Sequence, residues 1–136
     1  MKKQSGFSLI EMLTAVTIIS ILVCMFFPRV IMLIEYSRAT EALLNIGQIR
    51  QSIESCMAFE KSYRKCANFR KLDSGDPSNV INSHFIYEFT DVTRTGYKLI
   101  ATRNIYEGGD GLSTIDFQQT KNQILRSGTG VFERIQ

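Results

Sequence analysis

Glu11 is the residue with the strongest claim to chemistry, because of where it stands. It is the only charged residue between Lys3 and Arg29, and the residues around it are largely Leu, Ile, Val, Met and Phe. A lone carboxylate inside a membrane-spanning helix costs about 2.5–3.5 kcal/mol on insertion scales. Unsatisfied in hydrocarbon, it calls for a partner of opposite charge. The remaining titratable residues make no catalytic set. The one histidine, His84, stands at the start of an expected strand, where a lone imidazole is a surface or edge residue. No Ser-His-Asp set, carboxylate pair or phosphate-binding loop accompanies it. Glu107, Asp110 and Asp116 lie near a glycine cluster, but they are too few and wrongly spaced for a calcium loop, and a hairpin turn explains the glycines. Cys56 and Cys66, ten positions apart, are open to a disulfide if the chain turns between them. Cys24 lies within the apolar run and reads as a small buried hydrophobe. No CxxC, CxxCH or zinc spacing is present. The expectation is therefore a protein that is not an enzyme and has no cofactor or metal site.

The elements that must position Glu11 follow from periodicity. Phe7 to Pro28 is an apolar run of about 22 residues, or about 33 Å as a helix, enough to cross the hydrocarbon core of a bilayer. It is too long for the apolar part of a secretory signal, and no Ala-x-Ala-like cleavage site follows it. Lys2 and Lys3 hold the N-terminal end in the cytoplasm, which sends residues beyond about 30 outward, to the periplasm or the cell exterior. Thr14, Thr17 and Ser20 are expected to return their hydroxyls to the helix backbone. Pro28 removes one helical hydrogen bond and crowds the preceding turn, so a kink or a loosened turn is expected there. Arg29 suits the outer interface.

Residues 29–58 continue as an amphipathic helix. Ala39, Ala42, Leu43, Ile46, Ile49, Ile53 and Met57 recur at spacings of three and four, with polar residues between them. Phe7 to Ala58 as one helix would be about 78 Å long, far more than a small domain needs. Residues 59–83 form a connecting segment. Lys61, Arg64, Lys65, Arg70 and Lys71 make it locally basic, with Tyr63 and Phe69 expected to tuck onto a core. The formal charge is +3, falling to +1 if Lys2 and Lys3 are removed, which is not the balance of a nucleic-acid binder. Residues 84–135 alternate as strands. Phe85, Tyr87 and Phe89 share one face of the first, Tyr97, Leu99 and Ala101 of the second, and Ile115 and Phe117 of the third. A last strand is expected around Gly130 to Ile135. The fold class is α+β, a long N-terminal helix packed on a small antiparallel sheet.

The stretch Gly6-Phe7-Ser8-Leu9-Ile10-Glu11, after a basic leader and before a long apolar run, resembles the N-terminus of type IV pilins and of the pseudopilins of type II secretion systems. The resemblance covers roughly residues 1–30 in sequence and the whole chain in layout. It implies a prepilin leader, residues 1–6, cut after Gly6 by a prepilin peptidase, and N-methylation of the new terminal residue, Phe7. It implies that residues 7–28 are the transmembrane and filament-core helix, residues 29–58 its amphipathic continuation, and residues 59–136 a globular pilin-like head. Pro28 then marks a part of the helix that unwinds when subunits enter a filament. In this reading Glu11 pairs with the N-terminal amine of a neighbouring subunit and sets register in a helical homo-oligomer. The other implied partners are the inner-membrane assembly platform and its ATPase, and the protein is an inner-membrane single-pass prepilin before assembly. Two alternatives stand beside the pilus subunit. One is a type II secretion pseudopilin. The other is a minor pilin acting as a tethered binding module for DNA, a surface or a secreted substrate, with the basic segment 61–71 as its support.

Overall fold

Residues 8–135 are described by a computed structural model. Contacts divide the chain into two units, Met1–Ile34 and Glu35–Gln136. Helix α1 (Leu9–Glu60, 52 residues) begins in the first and ends in the second.

In the first unit every residue from Ser8 to Ile34 is exposed, including Leu13, Ile18, Leu22, Phe27, Met32 and Leu33. Among the described residues α1 is the one helix long and apolar enough to cross a membrane. The hydroxyls within it are satisfied by the helix itself. Thr14 donates to the Glu11 carbonyl at 2.9 Å, Thr17 to Leu13 at 2.7 Å and Ser20 to Val16 at 2.8 Å. Such back-bonding lets a hydroxyl sit in an apolar helix without an unpaired donor. The helix runs through Pro28 without interruption.

In the second unit α1 lays the stripe Ala39, Ala42, Ile46, Ile49 and Ile53, all buried, on one face of a four-stranded antiparallel sheet, with Leu43 and Met57 at its margins. The helix ends two residues past Ala58, where Lys61 takes a positive φ of 53° and donates its N–H to the Met57 carbonyl at 3.1 Å. A left-handed residue just past a helix end satisfies one of its orphan carbonyls. Helix α2 (Tyr63–Cys66) and two 3-10 turns, Phe69–Lys71 and Pro77–Asn79, fill the connecting segment. Tyr63 and Phe69 pack at the margin of the core, against Tyr97 at 5.4 Å and Phe89 at 4.5 Å between ring centroids.

The strands are β1 (Phe85–Thr90), β2 (Tyr97–Arg103), β3 (Thr114–Gln119) and β4 (Ile124–Gly128), ordered as a simple meander. Their register places Tyr87, Ala101 and Ile115 in one cross-strand row and Phe89, Leu99 and Phe117 in the next. These rows face the helical stripe, and Phe132 closes the core beside Phe85 at 5.6 Å. Burying each large apolar side chain contributes about 1.5–3 kcal/mol, which fixes this register against a one-residue slip.

One expected element is corrected. The last strand is β4, Ile124–Gly128, and not Gly130 to Ile135, where a 3-10 turn, Gly130–Phe132, carries the buried Phe132. The reason is burial. Ile124 and Leu125 are adjacent and both exposed on an edge strand, so they show no alternation to betray it. Gly130, with φ 61°, breaks extended structure where the sequence suggested it.

Candidate functional site

The carboxylate singled out by the sequence lies in the first turn of α1. Its Oε2 accepts the backbone N–H of Ser8 at 2.9 Å, and its own N–H donates to the Ser8 carbonyl at 3.0 Å. This is half of a capping box, in which an acid at the third helical position reaches back to the N-cap amide. The helix N-terminus carries partial positive charge and four N–H groups without helical partners. Glu11 therefore stands where a helix best tolerates an anion, with exposed apolar side chains around it. Gly6 and Phe7, the expected cleavage and methylation positions, and the leader 1–6 lie outside the described residues. What the arrangement can do chemically is hold a carboxylate at a fixed place in an apolar stretch that has no other charged residue between Lys3 and Arg29.

The other residues marked by the sequence are scattered. Cys56 and Cys66 form a disulfide, with their Cα atoms 5.7 Å apart, tying the last turns of α1 to α2. Cys24 is a free thiol and exposed in the single chain, like the rest of its helix. In the basic segment Lys65 forms an ion pair with Glu60 at 2.7 Å, and the Lys65 hydrogen bond lowers the Glu60 carboxyl below its ordinary range. His84 Nδ1 lies 3.0 Å from Glu41 Oε2 on α1, just before β1. Asp110 is engaged by its own turn, accepting the N–H groups of Leu112 at 3.0 Å and Ser113 at 2.9 Å and the Ser113 hydroxyl. Among the described residues no group of three or more His, Cys, Asp or Glu side chains is gathered as metal ligands.

The sequence reading missed one polar feature of weight. Arg103 is about 1% exposed. Its Nε donates to Glu35 Oε2 at 2.9 Å, Nη2 to Glu35 Oε1 at 3.3 Å, and Nη1 to the His84 carbonyl at 2.8 Å. Arg38 adds a second cation to Glu35 at 2.7 Å. The Arg103 hydrogen bond holds the Glu35 carboxyl below its ordinary range against the opposing effect of burial, helped by the charges of Arg103 and Arg38. The signal was present in the spacing. Arg103 continues the inward phase of Tyr97, Leu99 and Ala101, and Glu35 stands one helical turn before Ala39 on the buried stripe.

Residues 1–25 match the family model described as the prokaryotic N-terminal methylation motif, the signature of type IV pilins and pseudopilins. No curated protein and no solved structure matches the chain. The chain thus joins that N-terminal signature to a long helix packed on a four-stranded antiparallel sheet, a pilin-like α+β arrangement.

Proposed function

We propose that this chain, which carries the type IV pilin and pseudopilin signature, is a structural subunit of a pilus or pilus-like filament. A peptidase cuts between Gly6 and Phe7, Phe7 is N-methylated, and the subunit waits in the inner membrane with Glu35–Gln136 outside. The observation that supports this best is Glu11, the one charge between Lys3 and Arg29, in the first turn of a helix whose residues 9–34 are exposed and largely apolar and whose start lies within the matched N-terminal motif. Removal of residues 1–6 creates a basic amine at Phe7. An amine from a neighbouring subunit brought to Glu11 neutralises two charges that hydrocarbon disfavours, and the Ser8 amide holds the carboxylate until then. Breaking one partner of such a buried pair costs about 3–5 kcal/mol, enough to stop addition of subunits. A head-to-tail contact of this kind propagates as an open helix rather than a closed ring.

The test is electron microscopy of sheared surface fractions from cells with the cognate assembly machinery, comparing wild type with Glu11→Ala, together with intact-mass analysis. The expected result is wild-type filaments whose subunit begins at methylated Phe7, and Glu11→Ala subunits that are processed but stranded in the membrane. A subunit that keeps residues 1–6, or that polymerises equally well without Glu11, would overturn the reading.

A further inference from the structure

The two ends of the sheet in the second unit carry opposite charges that find no partner within it. At one end the β1–β2 hairpin, the β3–β4 hairpin and the chain just past α1 enclose a pocket of about 280 Å³. Half-buried Met57 and Tyr63 give it an apolar wall, and exposed Lys61, Arg94 and Lys121 bring three cations to it. No acid lines the pocket, and the ion pairs among the described residues engage none of the three. Glu60, next in the chain to Lys61, is already held by Lys65 at 2.7 Å. Three like charges around one pocket repel, and an anion from outside relieves that repulsion. The volume falls just below the roughly 300–1,000 Å³ of sites that enclose a small molecule. It suits a side chain reaching in from another protein surface.

The β2–β3 loop, residues 104–113, stands at the other end of the sheet, about 20 Å of strand away. Its Ile105, Tyr106 and Leu112 are exposed, Tyr106 at 93%. Glu107 follows Tyr106 and enters no ion pair among the described residues. Asp110 is a second acid in the loop, which has no Lys or Arg. The loop is firmly held. Asn104 donates its N–H to the His84 carbonyl at 2.9 Å and its side-chain amide to the Ser83 carbonyl at 3.0 Å, and it accepts the N–H of Tyr106 at 3.1 Å. Asp110 ties down Leu112 and Ser113. A loop already fixed in place loses little freedom on binding, and tyrosine is a common anchor at the centre of a protein interface.

Resting on the filament reading above, we infer that the β2–β3 loop of one subunit seats in the pocket of the next, Tyr106 against Met57 and Tyr63, and Glu107 against Lys61, Arg94 and Lys121. Each end supplies what the other lacks, an apolar wall for an exposed ring and an acid for unpaired bases. Because the two surfaces lie at opposite ends of one sheet, the contact is head-to-tail and propagates from copy to copy.

Exchanging the charges tests this. In cells with the cognate assembly machinery, the ratio of filament to membrane-held subunit is read by quantitative blotting. Glu107→Lys and Lys121→Glu, each alone, should lower it several-fold. The two together in one chain should restore most of it, because the swapped charges attract again. In filaments carrying p-benzoylphenylalanine at position 106 and otherwise wild type, light should join two copies of the chain, with the adduct in segment 57–63. Filaments that form normally with either reversal alone, a double reversal as poor as its parents, or an adduct elsewhere on the chain, on lipid or on another protein overturn the contact and leave the filament reading standing. Wild-type subunits that keep residues 1–6, or that are cut and never polymerise, sink the filament reading and the inference with it. Far-UV circular dichroism checks that each reversal folds, and where one does not, the cross-link decides.

Discussion

Arg103 and Glu35, 68 positions apart, meet through two hydrogen bonds of 2.9 and 3.3 Å in a place where the arginine is almost fully buried. The pair ties the end of β2 to the first turn of α1 that belongs to the second unit. Removing the carboxylate leaves a buried guanidinium with only backbone oxygens and no counter-charge. Glu35→Ala should therefore destabilise the Glu35–Gln136 unit by about 3–5 kcal/mol. Replacing both partners, as Glu35→Leu with Arg103→Leu, should recover much of that loss, because no unpaired charge remains. Denaturant unfolding of the three variants against wild type measures both effects.

The same pair makes stability depend on acid. The Glu35 carboxyl is held below its ordinary value of 4.5, first by the Arg103 hydrogen bond. A depressed carboxyl contributes stability that is fully present above the unfolded value and is lost as pH falls through the lower folded value. Wild type should hold its stability from neutral pH down to about 4.5 and lose it below that. Glu35→Gln should start lower at pH 7 and show a flatter acid limb. Urea midpoints from pH 7 to pH 3 give the comparison.

The Cys56–Cys66 disulfide closes a loop of ten residues. In the chain-entropy model a loop of that size stabilises by about 3 kcal/mol. Cys56→Ser with Cys66→Ser should therefore lower the melting temperature by about 10 °C or more for a unit of this size. Thiol counting checks the pairing directly. Denatured, unreduced protein should take up one maleimide, at Cys24, and reduced protein three. In intact membranes an impermeant maleimide should leave Cys24 unlabelled, because thiolate chemistry needs water.

Two glycines should respond in opposite directions. A Cβ at Gly96 would come within 2.5 Å of the Gln119 carbonyl oxygen, in the hairpin where β1 turns into β2. Gly96→Ala should cost about 1–3 kcal/mol through overpacking. Gly47 lies inside α1, and a methyl group there would meet nothing within 4 Å. Gly47→Ala should add about 0.5–1 kcal/mol, the ordinary helix preference of alanine over glycine. Thermal melts of both variants suffice.

Much of the architecture was legible in the residues alone. The stripe from Ala39 to Ile53 predicted a helical face to be buried, and the alternations at Phe85, Tyr97 and Ile115 predicted the faces that cover it. Both follow from local geometry, since 3.6-residue and 2-residue periods set which side chains share a surface. Glu11 stood out equally well, because one charge in an apolar run long enough to span a bilayer is costly in hydrocarbon. What tertiary structure decided were pairings between distant positions and edges without a pattern. Periodicity puts Arg103 on an inward phase and Glu35 on the buried stripe, but only the packing of β2 on α1 brings the two together. Cys56 and Cys66 needed the turn at Lys61 and the short α2 to approach. β4 is paired along one edge and exposed on both faces, so its backbone hydrogen bonds, rather than any buried face, hold it in the sheet. Hydrogen bonding between backbones leaves almost no trace in side-chain type, and for that reason the strand at Ile124 was invisible until the sheet itself was seen.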